Sequence, residues 1–113
     1  KAALENTFFS SLYSPDDTSD LNKEFVAEYK KAYNTNPDVF AALAYDSALL
    51  VAKAIEDAGS ADPAKIAEAM AKIKGFKGVS GEVTFNEQHN PIKSAVIIEH
   101  KDGKQTFKTK VNP

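Results

Sequence analysis

Val39-Phe40-Ala41-Ala42-Leu43-Ala44-Tyr45-Asp46-Ser47-Ala48-Leu49-Leu50-Val51-Ala52-Lys53-Ala54-Ile55-Glu56-Asp57-Ala58 decides how this chain is read, because its polar residues are only Asp46, Ser47, Lys53, Glu56 and Asp57. A helix apolar over most of its circumference has to be covered on more than one side. With 113 residues the chain has little else to cover it with. Two readings follow: the helix pairs with a second copy, or the chain is a piece of something larger.

Working outward, Gly59 stands as the residue that ends this helix, and Asp62-Pro63 caps and opens the next, which is expected to run to about Lys74 with Ile66, Met70 and Ile73 on its buried side. Upstream, Leu21, Phe25, Tyr29 and Tyr33 recur every fourth residue, with Val26 widening the stripe, which predicts a helix over Asp20–Tyr33 with Ser19 or Asp20 as its cap. Asn34-Thr35-Asn36-Pro37 breaks it. Leu4 to Tyr13 carries the Thr and aromatic content of a strand. The last third is β: Glu82 to Phe85, then Ile92 to Glu99, whose run Ala95-Val96-Ile97-Ile98 suits a strand buried on both faces, then a strand after the Asp102-Gly103 hairpin signal. In that last strand Phe107, Thr109 and Val111 alternate with Thr106, Lys108 and Lys110. The order is β-α-α-α-β-β-β, an α/β arrangement.

Composition excludes several classes. The chain is 42% hydrophobic and 27% charged, so it can build a core, and its net charge of −2 argues against a dedicated nucleic-acid binder. It has no Cys, which removes disulfides, thiolate metal sites and a cysteine nucleophile. Lys1-Ala2-Ala3-Leu4 reads as a mature or engineered end or, the favoured reading, a cut inside a longer protein, and no apolar run approaches the ~20 residues that span a bilayer.

The search for chemistry returns little. His89 sits in a polar turn and His100 at the mouth of a hairpin, no Cys, His or acidic cluster has metal-ligand spacing, and Ser10, Ser11 and Ser14 have no base nearby. Gly75, Gly78 and Gly81 are three apart but follow a helix and precede a strand, so turn positions explain them better than a phosphate loop. Asp46 interrupts an apolar face; it is either a ligand-binding carboxylate or, the favoured reading, a structural hydrogen-bond acceptor or surface carboxylate. Phe40 and Tyr45 either line a pocket or, as aromatic residues at helical spacing more often do, belong to the core. Tyr13, at a strand end before a Ser-Pro turn, is a pocket candidate because open α/β sheets build their crevices at strand ends.

Taken in series, Ala3-Leu4-Glu5-Asn6-Thr7-Phe8-Phe9, Tyr13-Ser14-Pro15-Asp16, Phe25-Val26-Ala27-Glu28-Tyr29-Lys30-Lys31-Ala32-Tyr33, Ala42-Leu43-Ala44-Tyr45-Asp46-Ser47-Ala48, Phe76-Lys77-Gly78-Val79-Ser80-Gly81-Glu82-Val83-Thr84-Phe85-Asn86 and Asn90-Pro91-Ile92-Lys93-Ser94-Ala95-Val96-Ile97-Ile98 resemble the C-terminal part of the leucine/isoleucine/valine-binding proteins of ABC importers, which have the type I periplasmic-binding-protein fold. The resemblance covers essentially the whole chain. It implies two lobes closing over an amino acid, with residues 1–14 and 86–113 as second-lobe strands and hinge and residues 15–85 as first-lobe helices and returning strand. It implies a non-enzymatic binder without a cofactor, working outside the cytoplasm, where a lipoprotein anchor is compatible, and delivering its ligand to a transporter permease. A sensor or regulator of the same fold is the alternative, and a second copy of the chain is a further candidate partner. The resemblance places most ligand contacts upstream, leaving Phe40 and Ala42 near the start of the second helix, with Tyr13 at the hinge a weaker candidate. An isolated third of such a protein is expected to bind amino acids weakly or not at all.

Overall fold

The computed structural model describes residues 2–113. After a short turn at Ala2–Leu4, strand β1 (Phe8–Ser11) is followed by helices α1 (Asp20–Tyr33), α2 (Val39–Ala58) and α3 (Pro63–Ala71) and by strands β2 (Phe76–Gly78), β3 (Gly81–Phe85), β4 (Pro91–Lys93), β5 (Ala95–Lys101) and β6 (Lys104–Val111). The helices begin where their caps dictate. Asp38 Oδ1 accepts the Ala41 amide at 2.8 Å, and Asp62 Oδ1 accepts the Ala64 and Lys65 amides at 3.1 Å. Asn34 and Gly59 end α1 and α2 in the left-handed region. Helix α3 stops at Ala71 rather than Lys74, because Lys72 and Ile73 close onto Ala69 and Met70 in a tighter turn.

The strands form two antiparallel sheets, ordered β1-β5-β6 and β2-β3-β4. The expected strand Ile92–Glu99 is therefore two strands. β4 pairs with β3 and β5 pairs with β1 and β6, so the chain changes sheets at Ser94. The expected double burial of Ala95–Ile98 gives way to one buried face, Val96 and Ile98, with Ala95 and Ile97 half-covered. A bulge at Ile97/Ile98 offsets β6, setting Phe107 opposite Ile98 and Lys110 opposite Val96. Phe107 and Lys110 thus share the partly covered face, whereas Val111 is 53% exposed, contrary to simple alternation.

Both apolar clusters lie among the helices and the β2-β3-β4 sheet. One joins Tyr13, Phe25, Ala42 and Val79; the other joins Leu50, Ala54 and Ile73, with Met70, Phe76 and Phe85 against them. On α1 the buried positions are Asn22 and Phe25, so the stripe is rotated from Leu21, which is exposed.

The β2–β3 turn is fastened to α2 by Asp46. Its carboxylate is 3% exposed and accepts the Val79 amide at 2.7 Å, the Ser80 amide at 2.9 Å and the Ser80 hydroxyl. A Cβ on Gly78 would stand 2.5 Å from the Asp46 carboxyl carbon, so only glycine allows this approach. The structural reading of Asp46 is the one the geometry supports.

Two variants separate close approach from backbone freedom. Gly78→Ala is expected to lose about 2–3 kcal/mol of stability through the forced contact with Asp46. Gly59→Ala, in open space at φ +58°, is expected to lose only about 1 kcal/mol. Urea denaturation of both checks this; equal costs would contradict the Asp46 contact as the cause.

Candidate functional site

A concavity of about 410 Å³ opens between the β1-β5-β6 sheet and the entry to α2. Phe9, Ser11, Ile98 and Gln105 line one wall, Tyr13 to Asp16 the floor, and Asn36 to Val39 the other wall. Phe9 pairs with Ile98 and Ser11 with Val96, which puts these side chains on the sheet face turned toward the helices.

The floor is held by an amide that periodicity alone disguised. Asn22, wholly buried, donates from Nδ2 to the Ser14 carbonyl at 3.3 Å, the Pro15 carbonyl at 3.2 Å and the Asp17 carbonyl at 2.9 Å. Its Oδ1 accepts the Tyr13 hydroxyl at 2.8 Å, so the residues 13–17 are stapled to α1. Burial, then the charges of Asp17, Asp16 and Asp46, push the Tyr13 phenol well above its ordinary range, keeping it a neutral donor. Its ring meets Phe25 edge-on at 6.4 Å.

Behind the floor, Lys93 Nζ donates to the Leu12 carbonyl at 3.2 Å and the Ser80 carbonyl at 2.9 Å. Burial holds its pKa below the usual lysine range; Asp46 pulls it up and Lys110 pushes it further down. Lys110 Nζ stands 2.6 Å from Asp17 Oδ2. Burial alone would raise the Asp17 carboxyl, but the Lys110 ammonium and the Ser19 amide, the latter at 2.9 Å, hold it below its ordinary value.

Of the three site residues expected from sequence, only Tyr13 lines the concavity. Phe40 is 76% exposed on the first turn of α2 and lies outside the lining. Ala42 is 0% exposed, packed under Tyr13, Phe25 and Val79, and presents no surface to a ligand; Val39, three residues earlier on the helix, does. Sequence reading missed Asn22, although a poor helix former at the i−3 position from Phe25 was a signal. Lys93 and Asp17 carried no local signal, since their partners are carbonyls and a lysine brought in by the fold. His100 lies within 3.0 Å of the Thr7 hydroxyl and stacks on Phe9, while His89 occupies a turn at φ 62°. Among the described residues no group of His, Asp or Glu has metal-site geometry, and no helix is long and apolar enough to cross a membrane.

The family model described as periplasmic binding protein matches residues 1–105. The chain belongs to the periplasmic binding protein family. It is 36% identical over 89 residues to the leucine-, isoleucine-, valine-, threonine- and alanine-binding protein of Pseudomonas aeruginosa, a match covering 75% of this chain and 23% of that one. The leucine-binding protein LivK of Thermotoga maritima superposes with a TM-score of 0.86 at 38% identity, covering 98% of this chain and 32% of LivK. LivJ of Streptococcus pneumoniae, a branched-chain amino-acid transporter substrate-binding protein solved with isoleucine, gives 0.83 at 37% identity, covering 96% and 31%. The chain therefore spans about a quarter to a third of the length of these periplasmic binding proteins, and its two sheets and three helices reproduce the corresponding part of their fold.

The Asp17 carboxyl has a lowered folded-state pKa, so its stabilisation is complete above the unfolded value of about 3.9 and is lost as pH falls through the folded value. Asp17→Asn should accordingly be less stable than the parent sequence near neutrality, with the gap closing as pH drops below about 4. Urea midpoints of both chains across that range test it; a gap independent of pH would show that the charge of Asp17 contributes nothing.

Proposed function

We propose that this chain is the C-terminal third of an extracytoplasmic solute-binding protein that delivers branched-chain or related amino acids to the permease of an ABC importer. The observation that carries the reading is the 36–38% identity, sustained over most of the chain, to proteins named for leucine and isoleucine binding. The concavity supports it. Its apolar side chains, Phe9 and Ile98 on one wall and Val39 on the other, suit an aliphatic side chain, and its floor is pre-organised by Asn22 and Tyr13, as a binder requires.

In this reading the two sheets belong to two lobes. The pairing of β4 with β3 supports placing residues 86–93 with the helices in the first lobe, so the crossing falls at Ser94 rather than at 85/86. Residues 12–16 form the other crossing. Tyr13 and Val39 contact the ligand from this segment, and Phe40, exposed on the same turn as Val39, adds apolar surface when the lobes close. The groups that hold the amino acid's charged ends lie in the part of the parent this chain does not span. The isolated chain therefore binds amino acids weakly or not at all, and its uncovered surface is met by the rest of the parent or by a second copy.

Calorimetric titration with leucine, isoleucine and valine tests this on the isolated chain and on the full-length parent. The parent is expected to bind at least one of the three, and Tyr13→Ala and Val39→Asp in the parent are expected to weaken it by roughly tenfold or more. The isolated chain is expected to show no saturable heat. Micromolar binding of leucine by the isolated monomer would overturn the proposal.

A further inference from the structure

The β1-β5-β6 sheet and the body made of α1–α3 with β2-β3-β4 are joined covalently by residues 12–19 and by Ser94. Neither apolar cluster contains a residue of β1, β5 or β6. Open space flanks the junction on both sides: the concavity above Tyr13, and a second cavity of about 450 Å³ between Glu82, Thr84, Ile92 and Ser94 on one side and Lys110 and Asn112 on the other. Neither apolar cluster spans the junction, so the angle between the two bodies rests on the contacts made at the junction itself.

Two lysines stand at this junction. Lys93 bonds the Leu12 carbonyl, one residue past β1, and is itself next to Ser94, so it brackets both covalent crossings. Lys110, on β6 opposite Val96, reaches across to Asp17 at 2.6 Å. Asp17 moves with the helices, because Asn22 holds its carbonyl and its own carboxylate accepts the Ser19 amide at the start of α1. Every other ion pair among the described residues lies within one helix or within the β1-β5-β6 sheet. The Asp17 end of the pair is buried and the Lys110 end partly so, and salt screens such a pair less than a surface one.

We propose that Asp17 and Lys110 form a latch across the junction, positioning residues that set the angle between the β1-β5-β6 sheet and the helical body and hence the width of the concavity. Lys93 acts as the pin about which that angle is defined. The latch is a property of this chain's own geometry and stands independently of which solute, if any, the concavity takes.

The absence of cysteine allows site-specific spin labels at Lys101→Cys and Lys65→Cys, exposed positions on the two bodies. Distance distributions from pulsed electron resonance are then recorded in this background and with Asp17→Asn, Lys110→Met or Lys110→Arg added, each labelled chain diluted into an excess of the same unlabelled chain so that only distances within one chain are read. The proposal expects Asp17→Asn and Lys110→Met to broaden the distribution by roughly twofold or shift its centre, and Lys110→Arg to restore it. Circular-dichroism melting of each variant accompanies the measurement. A pair that merely stabilises one body would lower the melting temperature and leave the distances unchanged. That result, or a Lys110→Arg distribution as broad as that of Lys110→Met, overturns the latch. If Asp17→Asn does not fold, Lys110→Met decides, since its site is on the last strand and its long apolar side chain preserves the stem's packing.

Discussion

The carboxylate of Asp46 is the contact on which the arrangement of this chain depends. It sits in the middle of an apolar helix and would be costly there without partners; two amides and a hydroxyl from a single turn supply them. The exchange fastens the β2–β3 hairpin to α2 at one fixed height. It also explains the glycine before the turn, because any side chain at 78 would occupy the space of the carboxylate. Val79, drawn in beside that turn, completes the cluster with Tyr13, Phe25 and Ala42. Through Tyr13 and Asn22 the same cluster anchors the first crossing, and through the Ser80 carbonyl the turn holds Lys93 near the second. One buried carboxyl group thus ties the helical core to both crossings.

Against that local order stands a surface that is not closed. The accessible area is 7510 Å², where a compact monomer of this mass exposes about 6,100 Å². The radius of gyration is 16.2 Å, against about 13 Å for a compact domain of this length. Phe40, Tyr45, Leu49, Val51 and Ile55 of α2 are exposed, as are Phe8 and Val111 on the sheet. A surface excess of this order is comparable to what a standard protein interface buries in total. The apolar circumference of α2 and the elongated shape are two expressions of the same fact: the chain is ordered at its junction and uncovered at its flanks.

What was legible in the sequence follows from how local each signal was. Helices α1 and α2 could be bounded because the Asn34-Thr35-Asn36-Pro37 break and Gly59 act within a turn of themselves. The structural role of Asp46 and the turn role of the glycines were legible one at a time, but their meeting joins residues 33 positions apart and no pattern announces it. The switch of sheets at Ser94 was hidden, because Ile92 to Ile98 reads as one strand and sheet membership is decided by partners, not propensity. Phe40 and Ala42 came from the resemblance alone, and on a helix a shift of one or two residues moves a position between cleft, core and solvent. The same ambiguity concealed Asn22, whose amide does the work an apolar residue would have been expected to do at that position.

In the proposed reading, the exposed faces of α2 and of the β1-β5-β6 sheet are covered by the rest of the parent or by a second copy. The most direct measurement is the mass of the isolated chain in solution, by light scattering over a wide concentration range. The expected result is a mass that rises above the 12.2 kDa of the single chain as concentration increases and that leucine, isoleucine and valine leave unchanged. A monodisperse 12.2 kDa species at every concentration, stabilised by one of those amino acids, would contradict it.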